Sequence, residues 1–260
     1  MNRLSGLKPQ KEVLDGMREN NECVGNFVSR REVMVLLGAT SAAYLIGGRQ
    51  AVPQTIAATR QPLCIVRPEQ TEGPYFVDER LHRSDLRADP TNGRSTPGTP
   101  FTLTFQVSRL RAGACHPLPD AYVDVWHCDA AGVYSGVRDP RFNTVGQKFL
   151  RGYQMTDARG EARFMTIYPG WYPIRTVHIH FKIRTTSIAR RSFEFTSQVY
   201  FPDELTDHVH TRHPYAAMGP RRVRNRQDFI FRHGGDQLML EPSATNDGYS
   251  ATFPIGLTLP

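Results

Sequence analysis

Cysteine is scarce in this 260-residue chain: there are four, no two of them in C-x-x-C spacing. That absence sets aside the common structural zinc sites and thioredoxin-like redox chemistry. The most apolar stretch, residues 33–48, is shorter than the ~20 residues a membrane-spanning helix needs. A basic tract is missing too. The formal net charge of +7 comes from 32 Lys and Arg against 25 Asp and Glu; residues 1–60 hold eight against five, or +3, and the other 24 against 20 leave +4. Arginines scattered over a nearly balanced domain argue against nucleic acid as a partner and would attract a small anionic substrate as readily. There is no internal repeat, coiled-coil heptad or low-complexity tract, which argues against solenoids and fibres.

What is present reads as one domain of ~200 residues with an N-terminal appendage. Arg30 and Arg31 follow Ser29 and lead, after Glu32, into the uncharged run 33–48 and a small-residue segment around Ala57 and Ala58. This order predicts a twin-arginine export leader and linker over residues 1–60 and a single domain over 61–260. The protein is then expected in the periplasm or outside the cell, after engaging the twin-arginine export machinery; an uncleaved leader leaves it membrane-anchored. Cys23 falls in the leader, so Cys64, Cys115 and Cys128 remain and at most one disulfide forms among them. Two readings stand: a Cys64–Cys115 staple or buried free thiols.

Nineteen prolines and 21 glycines favour turns over long helices. From Phe101 the apolar Phe101, Leu103, Phe105 and Val107 alternate with Thr102, Thr104 and Gln106, the period of a half-buried strand. Residues 121–126, 152–155, 162–167, 177–183, 195–201, 228–231 and 249–253 read as further strands between Gly, Pro and Asp turns. About eight strands without a helical period predict an all-β fold, a two-sheet β-sandwich with long functional loops. Residues 68–100 read as a long surface loop. Residues 203–212 read as a short helix or a turn-rich excursion.

The chemistry concentrates in Tyr168-Pro-Gly-Trp-Tyr172-Pro-Ile-Arg175-Thr-Val-His178-Ile-His180. Residues two apart on a strand share a face, so His178 and His180 can offer two imidazoles to one metal while Val177, Ile179, Phe181 and Ile183 turn the other way. Stacked structural histidines explain an H-x-H as well. No carboxylate stands at ligand spacing beside them; the nearby oxygen donors are the phenols Tyr172 and Tyr134. Zinc and ferrous sites draw on His, Cys and carboxylates, whereas phenolates are hard anionic donors suited to a trivalent cation such as Fe(III).

Four motifs in order make the resemblance specific: Thr71-Glu-Gly-Pro-Tyr75, Val125-Trp-His-Cys-Asp-Ala-Ala-Gly-Val-Tyr134, the stretch from Tyr168 to His180, and Gln198 in Phe195-Thr-Ser-Gln-Val-Tyr-Phe201. The chain resembles the intradiol ring-cleavage dioxygenases. That resemblance implies a non-haem Fe(III) enzyme that uses O2 to open a small catechol-type diol between its hydroxyls, giving a cis,cis-muconate-type diacid. It implies Tyr134, Tyr172, His178 and His180 as iron ligands, with Tyr172 and His178 axial, and Arg175 and Gln198 facing the diol. It also implies that Tyr172 yields its place to the substrate and takes one of its protons. Tyr75 is expected at the substrate mouth, Tyr168 and Trp171 as packing residues and Trp126 in the core. The oligomeric state is left open, a homo-oligomer included.

A second histidine group, His208, His210 and His213, lacks tyrosines and reads as a solvated segment with incidental histidines. The competing functional classes are a secreted β-sandwich binding module with a structural metal and a transthyretin-like carrier or hydrolase. Both share the sandwich and neither needs paired tyrosines and histidines.

Overall fold

The computed structural model describes residues 65–188 and 191–259. Arg30, Arg31, the apolar run, Cys64 and the boundary near residue 60 lie outside the described residues. Within them, the alternating segment from Phe101 becomes β1 (Pro100–Arg111), with Phe101, Leu103, Phe105 and Val107 all buried. There follow β2 (Ala114–Pro117), β3 (Tyr122–Trp126), the two-residue β4 (Arg138–Asp139) and β5 (Phe142–Asn143), β6 (Arg151–Met155), β7 (Glu161–Ile167), β8 (His178–Ile188) and β9 (Arg191–Tyr200). After α1 (Asp203–His210) come β10 (Ser243–Ala244) and β11 (Tyr249–Leu257).

Two sheets form the domain, as the strand pattern implied. One runs β10-β11-β1-β2, with β7 also paired to β1; the other runs β6-β3-β8-β9; β4 and β5 make a small hairpin of their own. Ile179, Phe181 and Ile183 of β8 are fully buried and meet the first sheet at Phe105, whose ring lies 5.0 Å from Phe181 and 6.0 Å from Phe253. Burying these large side chains from both sheets supplies ~2 kcal/mol each. The opposite face of β8 is thereby left to the histidines. The register places His180 between Trp126 and Gln198, and His178 beside Tyr200.

Seven of the eight expected strands are present. Residues 228–231 are not a strand but a turn: Asp228 Oδ1 accepts the backbone N–H groups of Ile230 (2.7 Å) and Phe231 (3.1 Å), which bends the chain back on itself. The irregular segment 68–100 is tied down rather than loose, with Leu86 fully buried and single bridges from His82 to Tyr153 and from Asp85 to Met165. Cys115 is disulfide-bonded and Cys128 is a free, buried thiol; the expected pairing of Cys115 with Cys64 involves a residue outside the described ones.

Candidate metal centre

Strand period alone puts the two imidazoles side by side, with His178 Nε2 3.0 Å from His180 Nε2. His178 Nδ1 lies 2.6 Å from the Thr176 carbonyl, so it donates there and Nε2 carries the lone pair. His180 lies flat on Trp126, ring centroids 5.0 Å apart and planes 8° apart. Trp126, expected in the core, is buried but serves as a wall for a histidine. Over the other side of His180 passes the loop 71–75, turning at Gly73 (φ +73°). A Cβ at Gly73 would stand 3.4 Å from His180 Cε1.

Two loops deliver the phenols. Tyr134 ends the turn after β3, where Asp129 Oδ1 accepts the N–H groups of Ala131 and Val133. Gly132 (φ +76°) lets this turn pack on the Tyr172 segment, since a Cβ there would meet the Trp171 carbonyl oxygen at 2.3 Å. The Tyr172 segment is gripped from α1 and the turn after it. His210 Nε2 donates to the Pro169 carbonyl (3.0 Å), Tyr215 Oη to that of Tyr168 (2.6 Å), and Trp171 Nε1 to that of Gly219 (3.1 Å). Tyr172 and Arg175 then face one space because the chain turns at Ile174, a β-branched residue held at φ +68° with 81% of its surface exposed. Such a conformation is strained for isoleucine and persists only where the surroundings impose it.

The result is a crowd of donor atoms around His178 Nε2. Tyr172 Oη is 3.2 Å away, Tyr134 Oη 3.5 Å and Arg175 Nη1 3.5 Å. All four of Tyr134, Tyr172, His178 and His180 are buried. Burial pushes both phenols above the usual tyrosine range, against the nearby Arg175 charge that favours phenolate, and pushes both imidazoles below the usual histidine range, helped by that same charge. Without a cation the cluster is therefore neutral, and one nitrogen lone pair faces more partners than it can accept from. His180 Nδ1 is buried with no partner at all. Among the described residues no three of His, Cys, Asp or Glu cluster at metal-binding range. The two-tyrosine, two-histidine group does have the spacing of a ligand set: donors about 2.1 Å from a common cation stand roughly 3.0–3.6 Å from one another. The donor chemistry suits a hard, highly charged ion, which would reverse the phenol shift by stabilising phenolate.

Arg175 and Gln198 lie beside this group. Arg175 Nη2 donates to Gln198 Oε1, and Gln198 Nε2 donates to the Thr71 carbonyl (3.0 Å), tying loop 71–75 to β9. Tyr75, half-buried, stacks on Tyr134 with centroids 4.4 Å apart and donates to Asp139 Oδ2 (2.6 Å). Arg141 pairs with Asp139 and lies 5.8 Å from the centre of the Tyr172 ring. Three neighbours escaped the sequence reading: Asp228, Asp139 and Arg151, whose buried guanidinium binds Ser135 Oγ (2.8 Å) and the Tyr75 carbonyl (3.2 Å). Asp228 fell inside the expected strand 228–231, although an Asp ahead of two free N–H groups suits an Asx turn equally well. The other two carry no local signal.

The second histidine group does not converge. His208 and His213 are exposed. His210 departs from the solvated reading: it is buried, stacked on Tyr215 at 5.1 Å, and holds Pro169.

The fold is a β-sandwich that buries two phenols and two imidazoles around one point, a donor set whose chemistry suits a hard cation. Comparison with known proteins narrows the reading. The family model described as "Dioxygenase" matches residues 71–226, and the chain belongs to this family, the intradiol ring-cleavage dioxygenases. It is 36% identical over 140 residues to the protocatechuate 3,4-dioxygenase beta chain of Burkholderia cepacia, covering 50% of this chain and 57% of that one. It is 27% identical over 191 residues to a chlorocatechol 1,2-dioxygenase of Pseudomonas putida, covering 66% of this chain and 63% of that one. The chain thus spans about three fifths of the length of these relatives. Among solved structures, an intradiol ring-cleavage dioxygenase from Tetranychus urticae aligns with a TM-score of 0.62 at 27% identity, covering 75% of this chain and 94% of that one. The dioxygenase domain of a carbohydrate-binding fusion protein from Streptomyces sp. SirexAA-E aligns at 0.53 and 29%, covering 75% and 100%. Family membership sets aside the binding-module and carrier readings.

Proposed function

We propose that this protein is a non-haem Fe(III) dioxygenase that cleaves a catechol-type diol between its hydroxyl-bearing carbons, adding both atoms of O2 to give a cis,cis-muconate-type diacid. The observation that carries this reading is the convergence of Tyr134, Tyr172, His178 and His180 donor atoms about one buried point. When bound there, a ferric ion would draw electron density from the diol and so let a singlet ring react with triplet dioxygen. The reaction balances without a further oxidant: one carbon–carbon bond of the ring breaks and the two oxygen atoms appear in the two new carboxyl groups.

The protein's own groups have separable tasks. Tyr134, His178 and His180 would hold the ion throughout, and Tyr172 would be the residue left free to act as a base toward the diol. As phenolate its Oη takes one hydroxyl proton from the incoming diol, and the neutral phenol then sits in surroundings that already favour the protonated form. Arg175 places a guanidinium N–H beside the pocket, where negative charge gathers on the ring during oxygen attack. Gln198 orients that guanidinium. Tyr75 closes the entrance and, with Trp126, keeps the pocket dry.

Residues 1–60 fit this reading as a twin-arginine leader, a route that carries folded proteins and so suits an enzyme loaded with metal before export. Replacing Arg30 and Arg31 by Lys is expected to leave precursor in the cytoplasm; unchanged export, followed by cell fractionation, would contradict it. For the metal, purified protein is expected to hold about one iron per chain, the capacity of a single four-donor site, and to show a broad visible band from tyrosinate-to-iron charge transfer that moves when catechol is added. Stoichiometric zinc with no visible band would overturn the assignment.

A further inference from the structure

Arg175 is useful in the proposed reaction only if its guanidinium is aimed, and one fully buried carboxylate aims it. Asp228 has no exposed surface. Its Oδ2 accepts Arg175 Nε (2.8 Å) and the Thr176 backbone N–H (2.7 Å), while Oδ1 accepts the N–H groups of Ile230 and Phe231. Four donors on two oxygens leave that carboxylate no freedom to rotate. Arg175 is gripped at two of its three nitrogens, Nε by Asp228 and Nη2 by Gln198, so that Nη1 is the one turned to the donor cluster, 3.5 Å from His178 Nε2. Tyr200 Oη donates to Gln70 Oε1 (2.6 Å) and lies 3.2 Å from Gln198 Oε1, which extends the same network into the segment ahead of loop 71–75.

We infer that Asp228 is a positioning residue of the reaction, acting through Arg175: it fixes the guanidinium so that one N–H pair faces the ring carbon under attack. A carboxylate suits this place for two physical reasons. Planar guanidinium holds its direction only when more than one of its nitrogens is pinned, and an acid pins Nε with a charge-assisted bond. An arginine 89% buried at its side chain also needs a countercharge to remain beside a metal site, because two like charges in a low-dielectric pocket repel strongly. Asp228 supplies that charge from behind, away from the diol. This inference rests on the role proposed for Arg175.

The test is a double-mutant cycle on the iron-loaded full-length protein, following the reaction of its catechol complex with oxygen by stopped flow. Asp228→Asn is expected to slow that step ~tenfold or more while the dissociation constant for catechol changes less than ~threefold. In the Arg175→Leu background the same substitution is expected to add nothing, since its effect passes through the missing guanidinium. Multiplying effects, or an unaffected rate in Asp228→Asn, would overturn the role given to Asp228 while leaving that of Arg175 intact. A wild-type rate in Arg175→Leu would instead remove the role of Arg175 and this inference with it. Should Asp228→Asn not fold, Arg175→Lys carries the test, for it keeps the charge and loses the two-point grip. A rate near that of Arg175→Leu supports positioning; a rate near wild type shows that charge alone suffices and overturns it.

Discussion

Tyr134 and Tyr172 carry the same functional group into the same pocket, yet their supports differ, and so should the effects of losing them. Tyr134 is fully buried beneath Tyr75, whereas Tyr172 sits on a segment that turns at the strained Ile174 and has Arg141 beside its ring. Tyr134→Phe is therefore expected to lose iron on dialysis, and Tyr172→Phe to keep it while binding catechol more slowly. Iron content and stopped-flow absorbance separate the two, and equal iron loss in both would contradict the division of labour. Arg175→Leu is expected to reduce turnover roughly a hundredfold or more. It also leaves Asp228 buried without its cation, a loss that costs about 3 kcal/mol when one partner of a buried pair is removed. The variant should consequently melt several degrees lower with its iron still bound, as read by calorimetry and metal analysis. Of the six side chains brought together here, strand spacing paired His178 with His180 and left Tyr134 and Tyr172 as nearby phenols, whereas the places of Arg175 and Gln198 came only from the resemblance to the intradiol dioxygenases. Asp228 was not legible, because Asp-Phe-Ile-Phe reads equally as an alternating strand, and only the fold shows its carboxylate bonded to its own chain and to Thr176.

At the scale of elements, the sequence announced the strands of the core and missed what the loops do. β1 and β7 alternate between buried and more exposed residues because one face of each meets the opposing sheet, so hydrophobic period locates them, whereas β3 and β8 bury both faces, the second of them against the site. The segment 203–219 has no such period that its tertiary role would disclose. Its first eight residues form α1, and its histidine serves a backbone carbonyl 41 positions away. Together with Tyr215 and Trp171, that bond grips residues 168–171 just ahead of Tyr172. Truncating His210 to Ala leaves the Pro169 carbonyl without its donor and opens a void beside Tyr215, a combined loss of ~2–3 kcal/mol. Faster amide hydrogen exchange across residues 168–172, with exchange in β8 unchanged, is the expected signature. Unaltered exchange there would show that α1 and the turn after it are not what holds the Tyr172 segment.

For the molecule as a whole, burying His127, His178 and His180 as neutral imidazoles makes the metal-free fold acid-sensitive. His127 donates from Nδ1 to the Cys128 carbonyl and accepts at Nε2 from Thr166 Oγ1, and burial pushes its pKa down to about 4. In the unfolded chain it titrates near 6.5. Because the unfolded state binds the extra proton between those values, stability is fully present above pH ~6.5 and falls as pH drops toward ~4, by roughly 3 kcal/mol for this group. His178 and His180 shift in the same direction and add to the loss. Denaturant midpoints of the metal-free protein should fall through that window, and His127→Gln should flatten part of the slope; a flat profile in the wild type would contradict neutral burial. Sandwich, buried phenols and paired imidazoles together support one reaction, and its product decides the matter. Iron-loaded protein given catechol under 18O2 is expected to form a cis,cis-muconate-type diacid carrying one labelled atom in each carboxyl group. A yellow ring-opened semialdehyde, or a diacid that takes no label from the gas, would contradict intradiol dioxygenation by this site.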